Sequence, residues 1–235
     1  MFGQRFTDYD NNQEKLVGLN SNDETEYAIK LSKSYSAFDL VYIDDKTVAV
    51  TIGYSNGKVG VLIVDLTTQK IKRFIDLPDS PFGITFDGES LIWCCTSTAI
   101  FRICCTDYSF TKYTSRLMSQ FPYIATHGDR IIYTAPSKNT VSCLNKRKLV
   151  WKFKNETILK KPGGITVDDK GNVFVVGIES KTIVVISPDG KQYKQIQTED
   201  CGLTEPSTIF FDNRRKQLLI TNINSFAHLY DVSYV

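Results

Sequence analysis

Pro162-Gly-Gly-Ile-Thr-Val-Asp168, then Lys170-Gly-Asn-Val-Phe-Val-Val-Gly177, then Lys181-Thr-Ile-Val-Val-Ile-Ser-Pro-Asp-Gly-Lys191 form one unit of a pattern that recurs along the chain. An apolar strand is followed by a turn, a second apolar strand, a polar loop and two more strands. Copies begin near Ser36, Pro81, Pro122, Pro162 and Pro206, at spacings of 45, 41, 40 and 44 residues. A period of roughly 40–50 residues with four strands per unit predicts an all-β fold, a β-propeller. In such a platform, function sits on the two faces and not in a linear motif.

The copies superpose strand by strand. The innermost strands are Ala37-Phe-Asp-Leu-Val-Tyr-Ile43, Phe82-Gly-Ile-Thr-Phe86, Tyr123-Ile-Ala-Thr126, Gly164-Ile-Thr-Val167 and Ser207-Thr-Ile-Phe-Phe211. The second strands, such as Leu91-Ile-Trp-Cys-Cys95 and Val173-Phe-Val-Val176, are almost wholly apolar. Strands covered on both faces read this way. The outermost strands, such as Gln69 to Ile75, carry Lys, Gln and Thr, which blunt an open edge. Asp87-Gly88 and Asp189-Gly190 are hairpin turn pairs.

Ahead of the first full copy, Arg5 to Tyr9, Lys15 to Leu19 and Thr25 to Leu31 read as second, third and fourth strands of another blade. Its innermost strand would precede Met1. The last copy stops at Val235, after its third strand. The expected fold is therefore one domain, 1–235, with six blades at about 1–33, 34–77, 78–117, 118–157, 158–200 and 201–235. The first and last are incomplete, as in a fragment or a short product with an open seam. The alternative is five blades, with Thr25 to Leu31 completing the last one.

Composition narrows the function. Of 235 residues, 42% are hydrophobic and 12% aromatic, enough for a large core. Twenty-eight basic and 26 acidic residues leave a net charge of +2, so no broad field draws nucleic acid or a membrane surface. No apolar run reaches the roughly 20 residues that span a bilayer. The start lacks the apolar stretch of a signal peptide. These readings predict a cytoplasmic protein without membrane contact. Cys94-Cys95 and Cys104-Cys105 lie on one hairpin, with Cys94 expected opposite Phe101 and Cys104 opposite Leu91. That offset is too long for a disulfide, so reduced thiols are expected.

Chemical constellations are sparse. His127 and His228 fall in different blades, so no shared metal site is expected. No Gly-x-Ser-x-Gly elbow and no phosphate-binding glycine loop occurs. Asp39 and Thr85 could face the channel, yet no ring of acidic ligands assembles as in a calcium-dependent hydrolase or lyase. The expectation is a protein that is not an enzyme, with no catalytic residue, no metal, no cofactor and no small-molecule substrate.

Binding is the remaining class. Loops between second and third strands share one face, the top, with the segments that link blades. Tyr54, Asn56, Lys138, Asn139, Glu179, Asn222 and Asn224 belong to those loops. Phe82 and Tyr123 come from the linking segments, beside Phe121, Lys160 and Lys161. Aromatics among Asn and Ser make the composition of a protein-contact surface. The alternative partner is RNA, on a basic patch of Lys146, Arg147, Lys148, Arg214, Arg215 and Lys216. Those residues fall on the opposite, bottom face, with aspartates interleaved.

Phe38 to Thr51, Leu77-Pro-Asp-Ser-Pro-Phe-Gly-Ile-Thr85, Gly163 to Val176 and Gly202-Leu-Thr-Glu-Pro-Ser207 carry a family resemblance. Over essentially the whole chain, the sequence resembles the NHL-repeat propellers at the C-terminus of tripartite-motif and B-box proteins. It looks most like the expanded group of bivalve molluscs. The resemblance implies an NHL-like propeller that reads a protein target, while a RING module elsewhere recruits the ubiquitin-conjugating enzyme. Some NHL propellers bind RNA, which is why that alternative is kept. This chain has no zinc-finger cysteine and histidine spacing, so any ligase activity would belong to a longer protein.

Overall fold

Each repeat folds into its own antiparallel sheet, because its apolar runs are short and its turns are tight. The computed structural model describes residues 6–10, 15–19, 25–31, 35–53, 58–95, 99–114, 121–197, 203–222 and 227–233. A three-stranded sheet comes first: β1 (Phe6–Asp10), β2 (Lys15–Leu19) and β3 (Thr25–Lys30). The first full repeat gives β4 (Ala37–Asp44), β5 (Thr47–Ile52), β6 (Gly60–Asp65) and β7 (Lys70–Asp76). The second gives β8 (Pro81–Phe86), β9 (Ser90–Cys95), β10 (Ile100–Cys104) and β11 (Phe110–Thr114). The third gives β12 (Ile124–His127), β13 (Arg130–Ala135), β14 (Thr140–Asn145) and β15 (Lys148–Lys154). The fourth gives β16 (Pro162–Val167), β17 (Val173–Gly177), β18 (Thr182–Ile186) and β19 (Tyr193–Gln197). The fifth has three strands: β20 (Pro206–Asp212), β21 (Gln217–Asn222) and β22 (Ala227–Asp231).

The all-β propeller is thus the fold. Among the described residues five blades carry an innermost strand at the channel, the number in the five-blade alternative and not the six expected. The strand at Thr25–Lys30, which that reading used to complete the last blade, instead pairs with β2 in a separate sheet. Among the described residues no helix is long and apolar enough to cross a membrane.

Alternation along each strand decides which neighbour a side chain meets. In β9, Leu91, Trp93 and Cys95 face the first repeat and pack with Ala49, Val61 and Ile63. Ile92 and Cys94 face the third repeat and pack with Ile124, Ile131 and Tyr133. The same division joins the third repeat to the fourth through Trp151 and Val175, and the fourth to the fifth through Phe174 and Phe211. Leu16, Tyr27 and Ile29 bring the first sheet onto Val48, Val50 and Leu62. The core is therefore a series of layers between sheets, and each fully buried Leu, Ile or Val contributes about 1.5–3 kcal/mol.

The hairpin register corrects one expectation. Cys94 stands opposite Ile100 and Cys104 opposite Ser90, so each pairing is one residue away from that expected. The doublets are still offset along the hairpin, and the five described cysteines are free thiols. Cys94 donates to the carbonyls of Gly83 and Pro122 at 3.3 and 3.2 Å, and burial holds its thiol protonated.

Turn aspartates close the hairpins. Asp65 accepts from the amides of Thr67 and Thr68, and its carboxyl pairs with Lys72 at 3.0 Å. The Thr68 amide and Lys72 lower its pKa from 3.8 to about 2. Ser109 lowers Asp107 and Ser187 lowers Asp189 in the same way. A carboxylate depressed in the folded state contributes stability that is fully present above its unfolded pKa and is lost as pH falls through the folded one. Thermal melts should therefore hold level above about pH 4 and decline steadily toward pH 2. Asp65→Asn should shrink that decline, and an unchanged acid limb would show that the turn carboxylates do not govern it.

Candidate functional site

The five innermost strands enclose a central cavity of about 320 Å³. Its wall is mostly apolar, with a threonine at one repeat position. Thr85 and Thr126 share a hydrogen bond at 3.3 Å, and Thr126 donates to the Phe86 carbonyl. Thr166 accepts from the Phe211 amide at 3.1 Å. Asp39 accepts from the amides of Leu40 and Ile84 at 2.9 Å each. An innermost strand has no ladder partner on its channel side, and these side chains supply one from a neighbouring blade. Asp39 is therefore committed to holding β8 beside β4.

The chemically distinctive part is the top mouth. The residue that follows the repeat's proline, or Ala37 in the first repeat, is aromatic in three consecutive repeats: Phe38, Phe82 and Tyr123. In the fourth and fifth repeats it is Gly163 and Ser207. Phe38 packs edge-on against Phe82 at 5.0 Å between centroids and tilts against Tyr123 at 5.0 Å. Phe121, in the link before β12, stacks on Phe38 at 6.3 Å and meets Phe82 edge-on at 5.1 Å. Half of the mouth is thus an aromatic crescent and half is lined by small residues. Phe121 is 41% exposed and has φ of 56°. That left-handed conformation is rare for a bulky side chain. It recurs at Lys161, one link later, so the bend belongs to the link itself.

The expected top-face residues fall into three groups. Tyr54, Asn56 and Asn224 lie outside the described residues. Phe82 is fully buried, so it does not meet a partner directly; it is the floor beneath Phe38 and Phe121. Tyr123 is half-buried and lines the cavity. Lys138 is exposed in a 3-10 turn, Pro136–Lys138. Asn139 and Asn222 turn inward and serve the scaffold: Asn139 accepts from the Lys161 amide at 2.8 Å and Asn222 from the Glu205 amide at 3.1 Å. Glu179 is exposed, 3.7 Å from Lys161. Phe38 was not among the expected residues. Its signal was its place in the repeat, obscured because Ala37 stands where the other four copies have proline.

Three of the six residues of the basic patch have side-chain partners among the described residues. Arg215 pairs with Asp212 at 2.7 Å and Lys216 with Asp169 at 2.6 Å. Arg147 lies over the Tyr113 ring at 5.4 Å, and Arg102 does the same. Lys146 and Arg147 both have positive φ, in the turn between β14 and β15. The patch is two turns in which Arg215 is paired within its own turn, and Lys216 and Arg147 with groups of other hairpins. His127 ends β12 beside Gly171, and His228 stacks on Tyr230 in β22. Among the described residues no three His, Cys, Asp or Glu side chains gather as a metal site requires.

A protein-family model described as SMP-30/Gluconolactonase/LRE-like region matches residues 115–224. The match covers a little under half of the chain and supports the propeller fold. A search of curated proteins found no match. Virginiamycin B lyase from Staphylococcus aureus is similar in fold, with 17% identity over 97% of this chain and 84% of that one, at a TM-score of 0.66. A streptogramin B lyase gives 15% identity over 98% and 80%, at 0.68. A chain of the nidogen/laminin complex gives 16% identity over 89% and 82%, at 0.72. These findings correct the expectation that the chain is not an enzyme. The matched family and the two lyases are enzyme-type propellers, so the absence of a sequence motif does not set this chain apart from catalysts.

Proposed function

We propose that this propeller reads a protein target at its top mouth, as the recognition domain of a tripartite-motif-like protein. The aromatic crescent carries the reading. Phe121 and Phe38 form an apolar ledge beside a cavity, and a partner side chain can enter where Gly163 and Ser207 leave the rim open. Rigid aromatic surface next to a desolvated pocket is where interface energy concentrates. The tripartite-motif assignment is supported by the segments from Phe38 to Thr51 and from Gly163 to Val176.

Phe121→Asn is the variant of choice, because asparagine tolerates positive φ while removing the ring. It should weaken capture of a defined protein partner at least tenfold, about 1.4 kcal/mol. The melting temperature should stay within about 2 °C of the parent, as for most exposed substitutions. Leu149→Ser, an exposed site on β15, should leave capture unchanged. Undiminished capture by Phe121→Asn would move the site elsewhere. An interaction that instead collapses with salt, and that Lys146 and Arg214 substitutions weaken, would identify RNA as the ligand.

A further inference from the structure

We propose that a pocket on the third sheet, on the face turned to the second repeat, binds the phosphoryl group of a small phosphomonoester. The pocket has a volume of about 190 Å³ and lies apart from the central cavity. Alternation along the strands brings its lining together. Tyr133 on β13 stands opposite Ser142 on β14, and Ser142 stands opposite Lys152 on β15. Thr140 lies two residues from Ser142 on the same face, and Lys138 ends the 3-10 turn just before Thr140. Tyr133 and Leu144 pack with Ile92 and Cys94 of the second repeat, which fixes the direction of this face.

One residue makes the pocket. In the same row of their own sheets, the first, second and fourth repeats have Leu62, Phe101 and Val184, each packed toward the preceding sheet. The third repeat has Ser142, which is too short to fill that space and puts a hydroxyl in place of carbon. Ser142 is 3% exposed and Thr140 2%. Neither hydroxyl has a hydrogen-bond partner among the described residues, whereas buried hydroxyls are usually paired. A bound group rich in acceptor oxygens would satisfy both.

Lys138 and Lys152 set the sign of that group. Both line the pocket, and neither forms an ion pair among the described residues. No carboxylate is in the described lining, and Glu156, a little further along the chain, is held by Lys154 at 2.7 Å. The ligand must then concentrate about two negative charges and several oxygens on one centre. A phosphomonoester does so near neutral pH, with about −1.5 to −2 charge and three acceptor oxygens. A carboxylate brings half the charge. Lysine binds phosphate as a point charge, so two exposed lysines can close on it without a fixed geometry. Leu144 leaves an apolar floor for the carbon body. The site is separate from the aromatic mouth, so the two proposals can fail independently.

Isothermal titration of the full chain with phenyl phosphate at pH 8 tests the proposal. Saturable binding with a Kd of about 1 mM or below is expected. The dianion is the bound form, so affinity should fall about tenfold between pH 8 and pH 5. Phenyl sulfate, of the same shape but one charge, should bind at least tenfold more weakly. Lys152→Gln should weaken phenyl phosphate at least tenfold. Ser142→Val, which copies Val184, should abolish binding without lowering the melting temperature. A phosphoserine peptide that binds more tightly than phenyl phosphate would make a phosphorylated protein the source of the group, and one that binds no tighter would make it a free metabolite. No saturable binding at about 10 mM, equal affinity for sulfate and phosphate, or binding unchanged in Lys152→Gln and Ser142→Val would each overturn the proposal.

Discussion

Trp93→Ala should lower the stability of the chain by about 3–5 kcal/mol, the range for deleting a buried tryptophan. At about 2–4 °C per kcal/mol, that is a fall of roughly 10 °C in melting temperature. Trp93 has no exposed surface and lies in the layer between the first two repeats. Its ring stacks on Phe101 at 4.6 Å between centroids. Truncation removes that contact and leaves a cavity that two β-sheets cannot close. Trp93→Phe is the informative companion. The indole nitrogen of Trp93 is buried and has no hydrogen-bond partner among the described residues, so phenylalanine deletes an unsatisfied donor together with some volume. It should cost much less than alanine. Trp151→Phe should behave in the opposite sense, because the Trp151 nitrogen donates to the Pro188 carbonyl at 3.0 Å and ties the third repeat to the fourth. Urea titration of the three variants measures all of this, and equal losses for Trp93→Phe and Trp93→Ala would refute the account.

Gly164→Val should be comparably damaging for a different reason. A Cβ at Gly164 would lie 2.6 Å from the Thr208 Cα and 2.8 Å from the Ile209 nitrogen. Both are backbone atoms of the next innermost strand, so no side-chain rotation relieves the overlap and the two blades must separate. Overpacking of this kind costs about 1–3 kcal/mol and more where backbone must move, and valine belongs at the upper end. Gly83, at the same place two repeats earlier, meets the Tyr123 Cα at 2.7 Å. Gly88 is the control. It has φ of 99° and open space around it, so alanine there should cost only the conformational penalty, about 1 kcal/mol. A midpoint for Gly164→Val equal to that of Gly88→Ala would show that the blades are less tightly set than described.

The framework could be read from the sequence because it rests on local signals that repeat. Proline before the innermost strand, unbroken apolar second strands and aspartate turns each recur with the period, so errors in one copy were corrected by the next. The site was less accessible. The aromatic crescent draws one residue from each of three repeats and a fourth from a link, and nothing in a linear reading brings Phe38 and Phe121 together. Asn139 and Asn222 had the composition of a contact surface, yet their side chains bond to backbone of the adjoining link. Loop composition reports polarity, not direction. The basic triplets show the same limitation, since their partners Asp169 and Tyr113 lie in other hairpins.

Packing that runs from one sheet to the next, from the N-terminal sheet to the fifth repeat, has a consequence for how the chain assembles. Every large interface joins segments that are neighbours in the chain, so order can spread from any one pair of repeats without first closing a long loop. Couplings in a row also make stability unequal along it. Among the described residues a middle repeat is packed on two sides, and the N-terminal sheet and the fifth repeat on one each, so opening begins at the two outer sheets of the row and the middle repeats are the last to lose their structure.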